Sequence, residues 1–323
     1  MIEAAGPAAD PTEGAAMPAT GEQHVLHLDG AGGPVTAVVA ELAAGLRRVR
    51  VGDTEIVQDY PFDALPSGGS GIVLVPWPNR VRDGRWTLDG AVQQLDITEP
   101  SKGNASHGLL RNTGYRVTDR SDSAITLSAT VFPQHGWPFH LDTSVRYALT
   151  PTGIEITHGV HNVGGASAPF GVGCHPYLRV GDTPARDLVV TVSGDRMLET
   201  DERSLPVREV PVDGSPKDLR QGAALRELQL DTAYTGLRTV DGRVRHRLTA
   251  PDGTAVELAA DPVFAWAQVF TNPVYDTDEG RIDAVAIEPM TCPPDALNSG
   301  TDLIRLEPDE QWVAGWGISL LRP

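Results

Sequence analysis

The chain has 323 residues, room for one large domain or two ordinary ones, and 40% of them are hydrophobic, ample for a core. Its 43 acidic side chains outnumber 26 Lys+Arg, for a formal charge of −17. That balance argues against nucleic acid or an anionic membrane as partner, while a local pocket can still be positive. No run approaches the roughly 18 apolar residues of a membrane span, and the first Lys or Arg is Arg47, so no basic leader pattern opens the chain. A cytoplasmic protein is expected, and its two cysteines, Cys174 and Cys292, read as reduced thiols.

In chain order, residues 1–22 are Ala, Gly, Pro and Thr with scattered acids and no periodicity, an expected disordered segment. Residues 23–323 read as a single domain. Val35 to Leu46 carries both alanines and valines and is assigned to strand. Alternating runs then follow at Ala124–Val131, Ser144–Leu149, Gly153–Thr157, Asp187–Val192, Ala255–Leu258, Phe264–Phe270 and Gln311–Leu320. Turn signals separate them: Asp89-Gly90, Pro151-Thr152-Gly153, Asp241-Gly242 and Asp252-Gly253. Helical pattern is scarce; Ser215-Pro216-Lys217-Asp218 predicts one short helix or 3₁₀ turn. The fold class is all-β, a large antiparallel β-sandwich with few short helices.

Two strands each deliver a titratable group just before a proline: Gly171-Val172-Gly173-Cys174-His175-Pro176-Tyr177 and Asp283-Ala284-Val285-Ala286-Ile287-Glu288-Pro289. The glycines predict room for a ligand beside the imidazole. Glu288 ends a run too apolar to hold a carboxylate idly, and burial there should raise its pKa unless a cation or donors compensate. Such a pair, meeting in one cleft, marks an enzyme that moves protons. Three more segments offer polar groups. In Trp77-Pro78-Asn79-Arg80 the prolines on either side of Trp77 make a rigid bend presenting Asn79 and Arg80. Arg80 has the planar donor fork suited to hydroxyl or anionic oxygens. His107-Gly108 permits close approach of a backbone or ligand. Asp231 follows Leu230 at a loop-to-strand junction. Taken singly, each has a plainer reading: a bracing arginine, a solvated or core histidine, a turn cap.

In this order, W-P-N-R, H-G, H-P-Y, L-D-x-x-Y and E-P-M-T resemble the aldose 1-epimerase (galactose mutarotase-like) family, over about residues 30–321. The resemblance implies a galactose mutarotase-like supersandwich that interconverts sugar anomers without metal or organic cofactor. It also implies His175 as general acid, Glu288 as general base, and Arg80, His107 and Asp231 as sugar-hydroxyl ligands. Gln268 is a looser match for the site. The partner is a small-molecule sugar; oligomeric state is not legible.

Mutarotation needs a base at the C1 hydroxyl and an acid at the ring oxygen, and the expectation is an ionised Glu288 and a charged His175 on opposite sides of the C1–O5 bond. Free aldohexose is the first substrate. Arg111, close after His107-Gly108, and Arg82 and Arg85 leave an anionic hexose, a 6-phosphate or sulfonated sugar, as the alternative. Two other readings compete: a metal site of His107, His175 and Glu288, and a non-catalytic sugar sensor on the same fold. Trp77, Trp86, Trp137 and Trp266 can face a sugar ring, though core packing is the plainer role.

Overall fold

A computed structural model of the chain describes residues 17–30 and 32–323. Among these, two large antiparallel sheets dominate, one of twelve strands and one of ten, with three two-stranded ribbons beside them. One four-residue α-helix, Ala296–Ser299, and three 3₁₀ turns complete the regular structure. Among the described residues, no helix is long and apolar enough to cross a membrane. A contiguous apolar core joins the two sheets: Val39, Leu46 and Val49 from the first, Val145, Tyr147 and Ile156 from the second. The Tyr147 hydroxyl reaches across to donate to the Ala44 carbonyl at 2.6 Å.

Period-two alternation explains the central strands of the larger sheet. In Gly280–Met290, Val285 and Ile287 join the inter-sheet core, whereas Ala284 and Ala286 pack with Tyr177 and Tyr275 on the opposite face. In Trp266–Thr277, Ala267 and Val269 face the inter-sheet core, with Trp266 and Phe270 opposite. Both faces are covered, which is why Ala284 to Met290 is buried throughout and is apolar except for Glu288.

Several expectations hold residue for residue. Ala124–Val131 is a strand with the expected bounds. Asp89-Gly90 and Asp241-Gly242 close two-residue hairpins with positive φ at both positions, the type I′ geometry such pairs favour. Others need correction. Val35 to Leu46 is not one strand: Val35–Ala40 reverses through residues 41–45 into Leu46–Val51, with Ala43 and Ala44 at positive φ. Strand begins at Val189, not Asp187, which closes a 3₁₀ turn. Of the two forms expected for Ser215-Pro216-Lys217-Asp218, the shorter is found: the Asp218 N–H donates to the Ser215 carbonyl in a single i+3 turn that no further bond extends into a helix. Of the expected disordered segment, residues 1–16 lie outside the described residues. Pro18 to Gly21 forms a turn with Thr20 buried, its carbonyl accepting from the Leu42 N–H.

Pro289 does not end its strand. It pairs with Ala267 and the strand runs on to Met290. His175 lies between two short strands, Gly173–Cys174 and Tyr177–Leu178, both bonded to Gly280–Met290. The pause at His175 arises because its backbone turns aside, donating to the Ile72 carbonyl and accepting from the Gly71 N–H.

Candidate active site

Register brings the two titratable groups together. Gly173 pairs with Met290 and Tyr177 with Ala286, so His175 stands level with Glu288 across the gap. Gln268 is the partner of Glu288 on the other side. His175 Nε2 lies 3.3 Å from Glu288 Oε1, and both side chains are almost wholly buried. Tyr177 stacks on the imidazole at 5.3 Å between ring centroids, and His107 meets it edge-on at 5.6 Å.

A cavity of about 230 Å³ opens on this pair. Its walls include Asn79, Arg80, His107, His175, Asp231 and Glu288 of the predicted set. Gln268 is the exception: it does not line the cavity, and its amide donates to Asp231 Oδ1 at 2.6 Å. Asn79 sits at positive φ; its side-chain oxygen accepts from the Arg80 N–H and its carbonyl from the His107 N–H. It therefore shapes the bend as well as the wall.

Glu99, Thr98, Arg111, Phe270, Gly68 and Gly69 also line the cavity. Glu99 grips Arg80 through two hydrogen bonds, Nε at 2.9 Å and Nη2 at 3.1 Å. Nothing in the sequence marks Glu99, which lies in a turn of ordinary composition. Arg82 and Arg85 point elsewhere: Arg82 toward Asp295 and Asp201, Arg85 to Gln94. All four suspected tryptophans are buried, and Trp77, Trp86 and Trp137 pack against one another. Phe270 supplies the cavity's aromatic face.

The glycines do a different job from the one expected. A Cβ on Gly171 would collide with the Cys292 sulfur, and one on Gly173 would crowd Pro78 and Met290. They make room for protein, not ligand. Gly108 likewise faces the Val75 carbonyl at positive φ, so the close approach is by backbone. Gly68 and Gly69 are the glycines that open the cavity beside His175.

Burial controls the electrostatics. Desolvation pushes Glu288 well above the usual carboxylate range; the charge of Asp231 adds to the rise and Arg80 opposes it. Desolvation also drives His175 down to about 4 and His107 well below its ordinary value. Burial thus favours the neutral form of each group and opposes the expected charged pair. A neutral pair and an ion pair hold the same single proton, 3.3 Å apart. The opposed placement is corrected. Both groups sit in contact on one wall, with no space for a ring between them. Glu288 Oε2, His175 Nδ1 and His107 Nδ1 find no hydrogen-bond partner among the described residues although buried, which carries a desolvation cost. Among the described residues, no three His, Cys, Asp or Glu side chains group closely enough to hold a metal ion. Both cysteines are free and buried.

Residues 27–319 match the aldose 1-epimerase family model. The chain belongs to the aldose 1-epimerase family. It is 30% identical to the uncharacterised protein YihR of Escherichia coli (strain K12) over 279 residues, 86% of this chain and 87% of that one. Solved structures share its fold. A galactose mutarotase-like protein from Clostridium acetobutylicum superposes with a TM-score of 0.78 at 17% identity, covering 94% of this chain and 96% of that one. Galactose 1-epimerase from Lactobacillus acidophilus NCFM gives 0.73 at 17% identity, covering 93% and 98%. The all-β, mutarotase-like architecture of this family member accords with those neighbours.

Proposed function

We propose that the chain is an aldose 1-epimerase that interconverts the α and β anomers of a hexose by acid/base-catalysed opening and closing of the ring. The observation that carries this reading is the His175–Glu288 contact on the wall of a cavity rimmed by hydroxyl-binding groups. A binding module needs the rim but not a coupled acid and base.

One wall suffices for the chemistry. The anomeric O1 and the ring O5 are both bonded to C1, so they lie close enough for adjacent groups to address both. Glu288 takes the O1 proton as the C1–O5 bond breaks, and His175 protonates O5. The aldehyde then rotates and the roles reverse on closure. The pair enters its working state by moving its one proton from carboxyl to imidazole. A sugar hydroxyl donating to the Glu288 carboxylate favours that shift, because donors stabilise the charged form. Arg80, His107 and Asp231 hold the remaining hydroxyls.

An anionic hexose is the second reading, favoured by Arg111. Its guanidinium lines the cavity, and its hydrogen bond goes to the Ser106 carbonyl at 3.4 Å rather than to a carboxylate. Anomer-resolved NMR with glucose, galactose, glucose 6-phosphate and a sulfonated hexose tests both. Faster exchange that survives chelation supports the enzyme. Sugar binding without faster exchange supports a sensor instead.

A further inference from the structure

Asp231 lies on the cavity rim, and part of its support comes from residues outside the cavity. Ser204 Oγ donates to Asp231 Oδ2 at 3.0 Å, and Lys102 Nζ donates to Ser204 Oγ at 2.6 Å. The ammonium itself stands 3.9 Å from Asp231 Oδ2. Gln268 occupies Oδ1, and Arg80 Nη1 lies 3.6 Å from Oδ2. Neither Lys102 nor Ser204 lines the cavity.

These two residues come from loops far apart in the chain, and the loops are latched together. Arg203 donates to the carbonyls of Lys102 and Gly103 and to Asn104 Oδ1, at 2.8, 3.1 and 3.1 Å. Asn104 returns a bond to the Arg203 carbonyl and another to Glu99, the carboxylate that grips Arg80. Ser204 is held at φ 57, a left-handed conformation uncommon for a residue with a side chain. Asp201 pins that turn, accepting from the Arg203 and Leu205 N–H groups at 2.9 Å each. A strained turn fixed this firmly, with its hydroxyl aimed at a cavity carboxylate, has a purpose beyond linking two strands.

We propose that Lys102 and Ser204 are positioning residues for Asp231, holding its carboxylate where it accepts a sugar hydroxyl, and that they govern KM without touching the sugar. The proposal rests on the sugar-binding reading above. A carboxylate fixed by a hydroxyl and a nearby ammonium keeps its remaining lone pairs directed into the cavity. Loss of the hydroxyl frees the side chain to rotate toward Arg80 or solvent, and the sugar must then order it on binding.

A double-mutant cycle on anomer exchange tests this, with Ser204→Gly as the key variant. Glycine tolerates the left-handed backbone, so Ser204→Gly deletes the hydroxyl while keeping the turn. The expected result is a KM raised about 3- to 20-fold with kcat within about twofold, and an unchanged or raised Tm. Lys102→Met should act in the same direction. Combined with Asp231→Asn, neither change should add to the loss in kcat/KM, because both act through that carboxylate. An unchanged KM, or losses that add across the cycle, in a protein whose wild type accelerates exchange, overturns the positioning role alone. A wild type that accelerates exchange of no sugar overturns the epimerase reading, and this inference with it.

Discussion

Glu288 and His175 stand level, the first on its strand and the second in the gap between two short neighbouring strands, with Oε1 and Nε2 3.3 Å apart on the same cavity wall. Contact at that distance means the two groups titrate as a unit. Removing either should therefore disable the whole pair. Glu288→Gln and His175→Asn are each expected to fold and to lose about 10²–10⁴-fold in kcat, the range of general acid and base catalysis. Stopped-flow polarimetry on either variant gives the answer; near-normal turnover would rule out the assignment.

The pH profile of kcat/KM should be bell-shaped, with the active form holding one proton on the pair. The low-pH limb is addition of a second proton, and the high-pH limb is loss of the one that remains. Asp231 gives a directional check. Its negative charge raises Glu288 and opposes the downward shift of His175. Asp231→Asn should therefore move both limbs to lower pH, besides weakening binding. Limbs that stay in place would mean the profile reports groups other than this pair.

Arg111 decides between neutral and anionic sugars. If the substrate carries a phosphate or sulfonate, Arg111→Met should raise its KM at least about tenfold, since charge-assisted hydrogen bonds are roughly twice as strong as neutral ones. The same variant should leave glucose or galactose nearly unchanged. Equal effects on charged and neutral sugars would return Arg111 to a structural role under the His107 loop.

The sequence exposed the parts of this molecule that depend on local chemistry. Asp-Gly pairs fix hairpins because φ > 0 is cheap for both residues, and Ala124–Val131 alternates because only one of its faces is fully covered. Glu288 stood out because a carboxylate in a run buried on both faces has no ordinary reason to be there. Pairings between distant segments left no local trace. Glu99 grips Arg80 across 19 residues, and Ser204 reaches Asp231 across 27, with neither in a distinctive context. Pro289 is a case apart: a proline usually interrupts a central strand, yet here the strand continues, with Pro289 opposite Ala267. The glycines misled because the need for small residues was visible, but not whether ligand or protein fills the space.

Acid should weaken the fold from its interior histidines. His158 Nε2 accepts from the Trp316 indole N–H at 2.9 Å, so it must be neutral there, and burial drives its pKa to about 3. Burial takes His246 to about 4. Both values lie below the ordinary 6.5 of an exposed histidine, so the unfolded chain binds more protons than the folded one. Their stabilising contribution is complete above pH 6.5 and is lost as pH falls toward 4. Each such proton contributes a slope of about 1.4 kcal/mol per pH unit. Glu288 works in the opposite sense: its raised pKa favours the folded state at low pH and loses that advantage as pH rises. It offsets part of the acid slope but cannot cancel two histidines. Urea unfolding should therefore show stability falling between pH 6.5 and 4.5. His246→Leu should flatten that slope by about one proton's worth, about 1.4 kcal/mol per unit, while changing stability at pH 7.5 far less. An unaltered slope in the variant would mean that His246 takes up its proton in the folded state as readily as in the unfolded one.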